Sequence, residues 1–230
     1  SSARRPADVW IREGDQLTMR QLTDSLGGRI DPAVLVDPVH VRYPGADGRE
    51  VPGLLYVPHA EAVRAATPGA VLYIHGGPTD QHFRMWDPIP QLLANRGLVV
   101  LAPNVRGSTG YGREWQELNR RDWGGGDLAD VVAGADWLVR ERIADNARIG
   151  IMGGSYGGYM TLYAMGKHPD RFAAGVSIVG VVSWKTLFET TRGDLREYFI
   201  REFGDPAKDP SLYADRSAIT HAKSIRSALL

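Results

Sequence analysis

A serine at position 155 stands between two glycines, each two residues away, in the stretch IGIMGGSYGGYM (149–160). A serine hydroxyl is a weak nucleophile until a base takes its proton and donors wait for the oxyanion its attack creates. Gly153 and Gly157 suit that use, because side chains there would collide across a sharp turn that holds the hydroxyl outward. The pattern alone is weak evidence: with 27 glycines and 11 serines in 230 residues, about 0.15 occurrences arise by chance. Its setting adds weight. RIGIM (148–152) reads as an apolar strand before the motif, and YMTLYAM (159–165) as a helical run after it. Such a strand-to-helix turn strains the backbone at Ser155 and aims the N–H groups of the following helix at the reacting atoms. The bland alternative is a glycine-rich turn with a capping serine.

Acyl transfer needs two N–H donors for the oxyanion. The residue after the nucleophile, Tyr156, supplies one from its backbone. A loop after an earlier strand supplies the other, and HGGP (75–78) follows the apolar run AVLYI. Gly77 is the expected donor there, because a glycine lets the backbone approach a substrate closely. His75 reads as structural, since the base of this arrangement follows the nucleophile in chain order.

The elements that must position these residues follow from periodicity. Residues 8–23 read as two short strands around the turn EGDQ, then a Gly- and Pro-rich linker. VHVRY (39–43) and VPGLLYVP (51–58), joined through Asp47-Gly48, read as a hairpin. AVLYIH (70–75), LVVLAP (98–103), RIGIM and FAAGVSIVG (172–180) are continuous apolar runs, as buried parallel strands are. Between them lie a helix starting at Asp87-Pro88 and a second with apolar residues from Leu128 to Ile143, for which Asp127 is the expected cap. Residues 183–203 read as helical with a break at Arg192-Gly193-Asp194. Strand–helix alternation of this kind predicts an α/β fold with a mostly parallel sheet.

Composition removes several functions. Lys plus Arg and Asp plus Glu are 27 each, giving a formal net charge of zero and no basic stripe for nucleic acid. Without cysteine there is no disulfide, thiolate metal site or cysteine nucleophile, which fits a cytoplasmic protein. The longest mostly apolar run, AAGVSIVGVVSW (173–184), is shorter than the roughly 20 residues a bilayer requires. No phosphate-binding loop occurs, the six histidines show no metal-ligand spacing, and no cofactor is expected. The opening residues SSARRPADVW show no signal peptide and no initiator Met, so the true start is expected to lie upstream.

Five stretches in order, HGGP, LVVLAPNVRGSTGYGREWQ (98–116), DWGGGDLADVVAG (122–134), RIGIMGGSYGGYMTL (148–162) and HPDRFAAGVSIVG (168–180), resemble the catalytic domain of the prolyl oligopeptidase family. The similarity is strongest to its acylaminoacyl-peptidase-like and dipeptidyl-peptidase-like branch and runs from about residue 39 onward. It implies an α/β-hydrolase domain over 39–230, preceded at 1–38 by the end of a β-propeller and a linker. It implies a serine peptidase acting on short peptides, with Ser155 as nucleophile and Tyr156 and Gly77 as oxyanion donors. Trp184, Phe188 and Phe199 match a region lining the pocket for the side chain before the scissile bond, although core packing explains them equally well. Arg106 and Tyr111 read as structural. A homo-oligomer is compatible with the family.

The triad acid and base should follow Ser155 as Asp, then His. By the resemblance both lie beyond the strand that SIRSALL begins, so both are expected outside these residues. His168 falls at the far end of the helix that starts at the nucleophile, about 18 Å along. His221 matches a structural position, and Asp170, Asp194, Asp205, Asp209 and Asp215 read as turn and cap residues. The expectation is an incomplete peptidase domain, inactive alone, with apolar surface left bare. Rival readings are a carboxylesterase-like hydrolase, which uses the same elbow, and a non-catalytic interaction module on the same scaffold.

Overall fold

The computed structural model describes residues 1–14 and 17–230. β1 (Trp10–Ile11) and β2 (Arg20–Gln21) pair antiparallel as a small sheet of their own. Part of the expected EGDQ turn, Asp15 and Gln16, lies outside the described residues.

The main sheet has seven strands: β3 (Val39–Pro44), β4 (Glu50–Tyr56), β5 (Ala70–Ile74), β6 (Val99–Pro103), β7 (Ile149–Gly154), β8 (Ala174–Ile178) and β9 (Ala228–Leu229). Their spatial order is β3-β4-β6-β5-β7-β8-β9. The β3–β4 hairpin joins β6 antiparallel, and every other pairing is parallel. Parallel pairing needs crossovers, and helices supply them. These are α1 (Pro88–Asn95), α2 (Arg113–Glu117), α3 (Gly126–Arg140), α4 (Tyr156–Lys167), α5 (Trp184–Thr190), α6 (Asp194–Glu202), α7 (Pro210–Arg216) and α8 (Ala218–His221).

Side-chain alternation along the strands sorts two cores. Leu55, Leu72, Ile74, Val99, Leu101, Ile149 and Ile151 face α3 and α4. Leu54, Tyr56, Val100 and Ala102 face the other way, onto Ala94 of α1. The arrangement is the layered, mostly parallel α/β architecture that strand and helix periodicity predicts, and it is consistent with the α/β-hydrolase fold that the resemblance implies. Asp87 caps α1 as expected, accepting from the Ile89 N–H at 2.9 Å, with Pro88 in its first turn. The expected break lies between α5 and α6, at Thr191–Gly193, with Asp194 already the first residue of α6.

Two details of α3 differ from expectation. Asp127 does not cap it: the Gly126 N–H is satisfied by the carboxylate of Asp122, at 2.8 Å, and Asp127 lies one residue inside the helix, fully buried. The helix ends at Arg140 rather than Ile143, because Arg142 turns to φ +59° and folds Ile143 back onto the carbonyl of Leu138. Apolar surface is left open around β8 and β9, where Ile178, Val179, Val182, Leu229 and Leu230 are exposed. No helix among the described residues is long and apolar enough to cross a membrane.

Candidate active site

β7 ends at Gly154 and α4 begins at Tyr156, so Ser155 alone makes the turn between them. Its backbone is held at φ 55° and ψ −116°, a conformation that costs a non-glycine residue on the order of 1–3 kcal/mol. The surroundings enforce it. The Ser155 N–H donates to the Ile178 carbonyl at 2.9 Å, and the Ser155 carbonyl accepts from Tyr159 in the first turn of α4. The serine is exposed, and no side chain among the described residues bonds its hydroxyl.

The flanking glycines meet their steric requirement. A Cβ on Gly157 would overlap the Ile74 carbonyl of β5, and one on Gly153 would sit 2.5 Å from the same oxygen and 2.6 Å from Gly157. β5 and α4 are thus pressed together at the elbow, and the loop leaving β5 is HGGP. Gly76 abuts the serine, so that a Cβ built on it would lie 3.6 Å from the Cβ of Ser155. Gly77 follows at φ +115°. Among the described residues no acceptor takes the N–H of Gly77. The Tyr156 N–H opens α4 and has no partner within the helix.

Buried side chains brace this loop. His75 is 8 % exposed; its Nδ1–H donates to the Gly76 carbonyl at 2.7 Å, and its Nε2 lies 2.8 Å from the oxygen of Ser108, whose hydroxyl donates to the Val105 carbonyl at 2.6 Å. Burial holds the His75 pKa below its ordinary value. The Gly76 carbonyl belongs to the same planar peptide as the Gly77 N–H, so anchoring one fixes the direction of the other. The RGSTG loop adds a second brace, with the Thr109 N–H on the Asp80 carbonyl at 2.9 Å. Arg106 anchors that loop through three hydrogen bonds to buried Asp130, two from its guanidinium at 2.9 and 2.6 Å and one from its backbone N–H at 3.0 Å, and one to Asp47 at 3.0 Å. Tyr111 accepts from Asn104 at 2.7 Å, so both residues read as structural make structural contacts.

Tyr156 turns its ring inward. Its hydroxyl donates to Asp127 at 2.5 Å, and the ring meets Trp123 edge-on at 5.8 Å. Trp184 and Phe199 lie in the same aromatic cluster: Trp184 is 6.1 Å from Tyr156, and Phe199 is 6.0 Å from Trp123. Phe188 lies apart, against Tyr213 at 5.7 Å, on a cavity of about 380 Å³ between α5, α6 and α7. Sequence reasoning missed Asp127 in this role, because nothing local marks a buried acid whose partner is 29 residues away.

Neither later histidine approaches the elbow. His221 packs on Tyr163 and Gly166, toward the C-terminal end of α4, and bonds the Asp215 carbonyl at 2.8 Å. His168 closes that same end of the helix. Asp209 caps α7, Asp205 accepts from Ala207, Asp170 pairs with Arg226 and Asp215 with Lys167.

A layered α/β domain with an exposed serine on a strained elbow, beside a glycine loop, is the frame on which serine hydrolases are built. Comparison with known proteins narrows it. A profile of the prolyl oligopeptidase family matches residues 82–230. Dipeptidyl aminopeptidase BIII of Pseudoxanthomonas mexicana is 37 % identical over 165 residues, 70 % of this chain and 24 % of that protein. A solved puromycin-hydrolyzing peptidase of Mycobacterium tuberculosis superposes with a TM-score of 0.90 at 32 % identity, covering 99 % of this chain and 36 % of that one. The acylaminoacyl peptidase of Pyrococcus horikoshii gives 0.83 at 29 %, with the same coverage. The chain belongs to the prolyl oligopeptidase family of serine peptidases, and spans about a quarter to a third of the length of these relatives.

Proposed function

We propose that this chain carries the nucleophile and oxyanion hole of a peptidase acting on short peptides. The observation that carries the reading is the exposed Ser155 at φ 55° with the HGGP loop seated against it. In this reading the Ser155 hydroxyl oxygen attacks the scissile carbonyl and passes its proton to a histidine base. The carbonyl oxygen becomes an oxyanion held by the N–H groups of Tyr156 and Gly77. Collapse breaks the C–N bond, the base hands its proton to the leaving amine, and water then hydrolyses the acyl-serine. The base and its aspartate partner come from outside these 230 residues, a reading supported by His168 and His221 lying toward the far end of α4 and by Asp170, Asp205, Asp209 and Asp215 being used in caps, turns and ion pairs. The 230-residue chain alone is accordingly inactive as a peptidase.

Trp184 and Phe199, behind the Tyr156 ring, form the floor of the subsite for the residue before the scissile bond, and Phe188 supports it from the cavity side. Residues 1–38 belong to a neighbouring propeller. The names of the relatives, a dipeptidyl aminopeptidase and an acylaminoacyl peptidase, support short peptides as substrates. A carboxylesterase would use the same elbow. The test is hydrolysis of a peptide anilide against a simple ester by the protein at the length of its relatives. A peptidase cleaves the anilide with the higher kcat/KM, and Ser155→Ala lowers kcat by about 10⁶-fold, as loss of a triad nucleophile does. Equal turnover by Ser155→Ala, or ester cleavage alone, contradicts the proposal.

A further inference from the structure

Two carboxylates in this core are fully buried, and they are treated differently. Asp130 is paired with the Arg106 guanidinium. Asp127 forms no ion pair among the described residues. It accepts one hydrogen bond from its neighbour Leu128, at 2.9 Å, and one from the Tyr156 hydroxyl, at 2.5 Å. Burying an acid without a cation is costly, and such costs persist where a site needs them.

The partner is informative. Tyr156 follows the nucleophile directly, and its N–H opens α4. A tyrosine side chain has two rotatable torsions, so fixing its ring and its oxygen fixes the Cα–Cβ direction. Trp123, Tyr159 and Trp184 pack around the ring at 5.8, 5.2 and 6.1 Å between centroids. Those apolar contacts set the ring's plane but let it slide along its own long axis, whereas a short bond at the tip sets its depth. Asp127 sits fully buried at the inner end of that ring.

We propose that Asp127 is a positioning residue for the oxyanion hole: by holding the Tyr156 phenol it sets the first turn of α4 and the direction of the Tyr156 N–H. The proposal rests on Tyr156 being an oxyanion donor.

The experiment uses the protein at the length of its relatives, with a peptide anilide as substrate. Tyr156→Phe keeps the ring and the N–H but removes the hydroxyl. It should lower kcat roughly 10- to 100-fold with KM within about twofold, the effect of misaligning a donor used only in the transition state. Affinity for a peptidyl boronate, whose tetrahedral adduct needs the same donors, should fall by the same factor. Asp127→Ala should match Tyr156→Phe, Asp127→Asn, which still accepts, should restore most of the loss, and Asp127→Ala should cost nothing further in the Tyr156→Phe background. Should Asp127→Ala fail to fold, Tyr156→Phe decides. A folded Tyr156→Phe enzyme with unchanged kcat, a rise in KM that accounts for the loss, or additive losses in the double variant would overturn the proposal. Full turnover by Ser155→Ala would instead remove the nucleophile reading beneath it.

Discussion

A methyl group added at Gly157 would land on the carbonyl oxygen of Ile74, a backbone atom of the central sheet that has no room to retreat. Gly157→Ala should therefore destabilise the fold by more than about 3 kcal/mol, beyond the usual range for a point change, and urea midpoints or soluble yield will report it. A loss under about 1 kcal/mol would mean that the elbow is looser than described. The requirement was legible in the sequence, because G-x-S-x-G between a strand and a helix has one steric meaning. The close approach of the HGGP loop was readable for the same reason, and a Cβ built on Gly76 would lie 3.6 Å from that of Ser155. Asp127 was not readable in this way. As an acid near the start of an amphipathic helix it looks like a cap, and only the fold shows Asp122 in that role and Asp127 beneath Tyr156.

Elements carry the site through buried polar contacts. Arg106 ties the loop after β6 to α3 through Asp130, and burial of Asp130 makes the pair costly to break. Arg106→Ala leaves that carboxylate without its cation and should cost about 3–5 kcal/mol, measurable by chemical unfolding, whereas a surface pair would cost under about 1 kcal/mol. α3 also gives the protein a pH signature. Burial raises the Asp127 carboxyl from an ordinary 3.8 to about 7. Between those values the native state binds a proton that the unfolded chain has released, so stability falls as pH rises. The contribution is complete below about 3.8 and lost once pH passes about 7. Relative to Asp127→Asn, which cannot ionise, the wild type should lose on the order of 4 kcal/mol across that window, and thermal melts at several pH values will show it. Parallel melting curves for the two would exclude an acid ionising inside the core. Periodicity disclosed most of these elements: unbroken apolar runs gave the parallel strands, and three-four spacing gave α3. It overran α3 at Ile143, because a residue folded back by a left-handed turn is as apolar as one still in the helix.

At the scale of the whole molecule, a seven-stranded sheet presents one strained serine above its carboxyl edge, against the loop of the adjoining strand. The apolar strands and the elbow motif foretold that arrangement. Which residues serve Ser155 was less legible, since a base is recognised by where it sits and not by its residue type. The proposed peptidase requires Ser155 as the acyl-accepting group and a base that lies outside these residues. Reaction with a fluorophosphonate, followed by peptide mass spectrometry, tests both halves at once. In the protein at the length of its relatives one adduct should form on Ser155, and the 230-residue chain alone should react at least roughly 10³-fold more slowly. Equally fast labelling of the isolated chain, or an adduct on any other residue, would contradict the account.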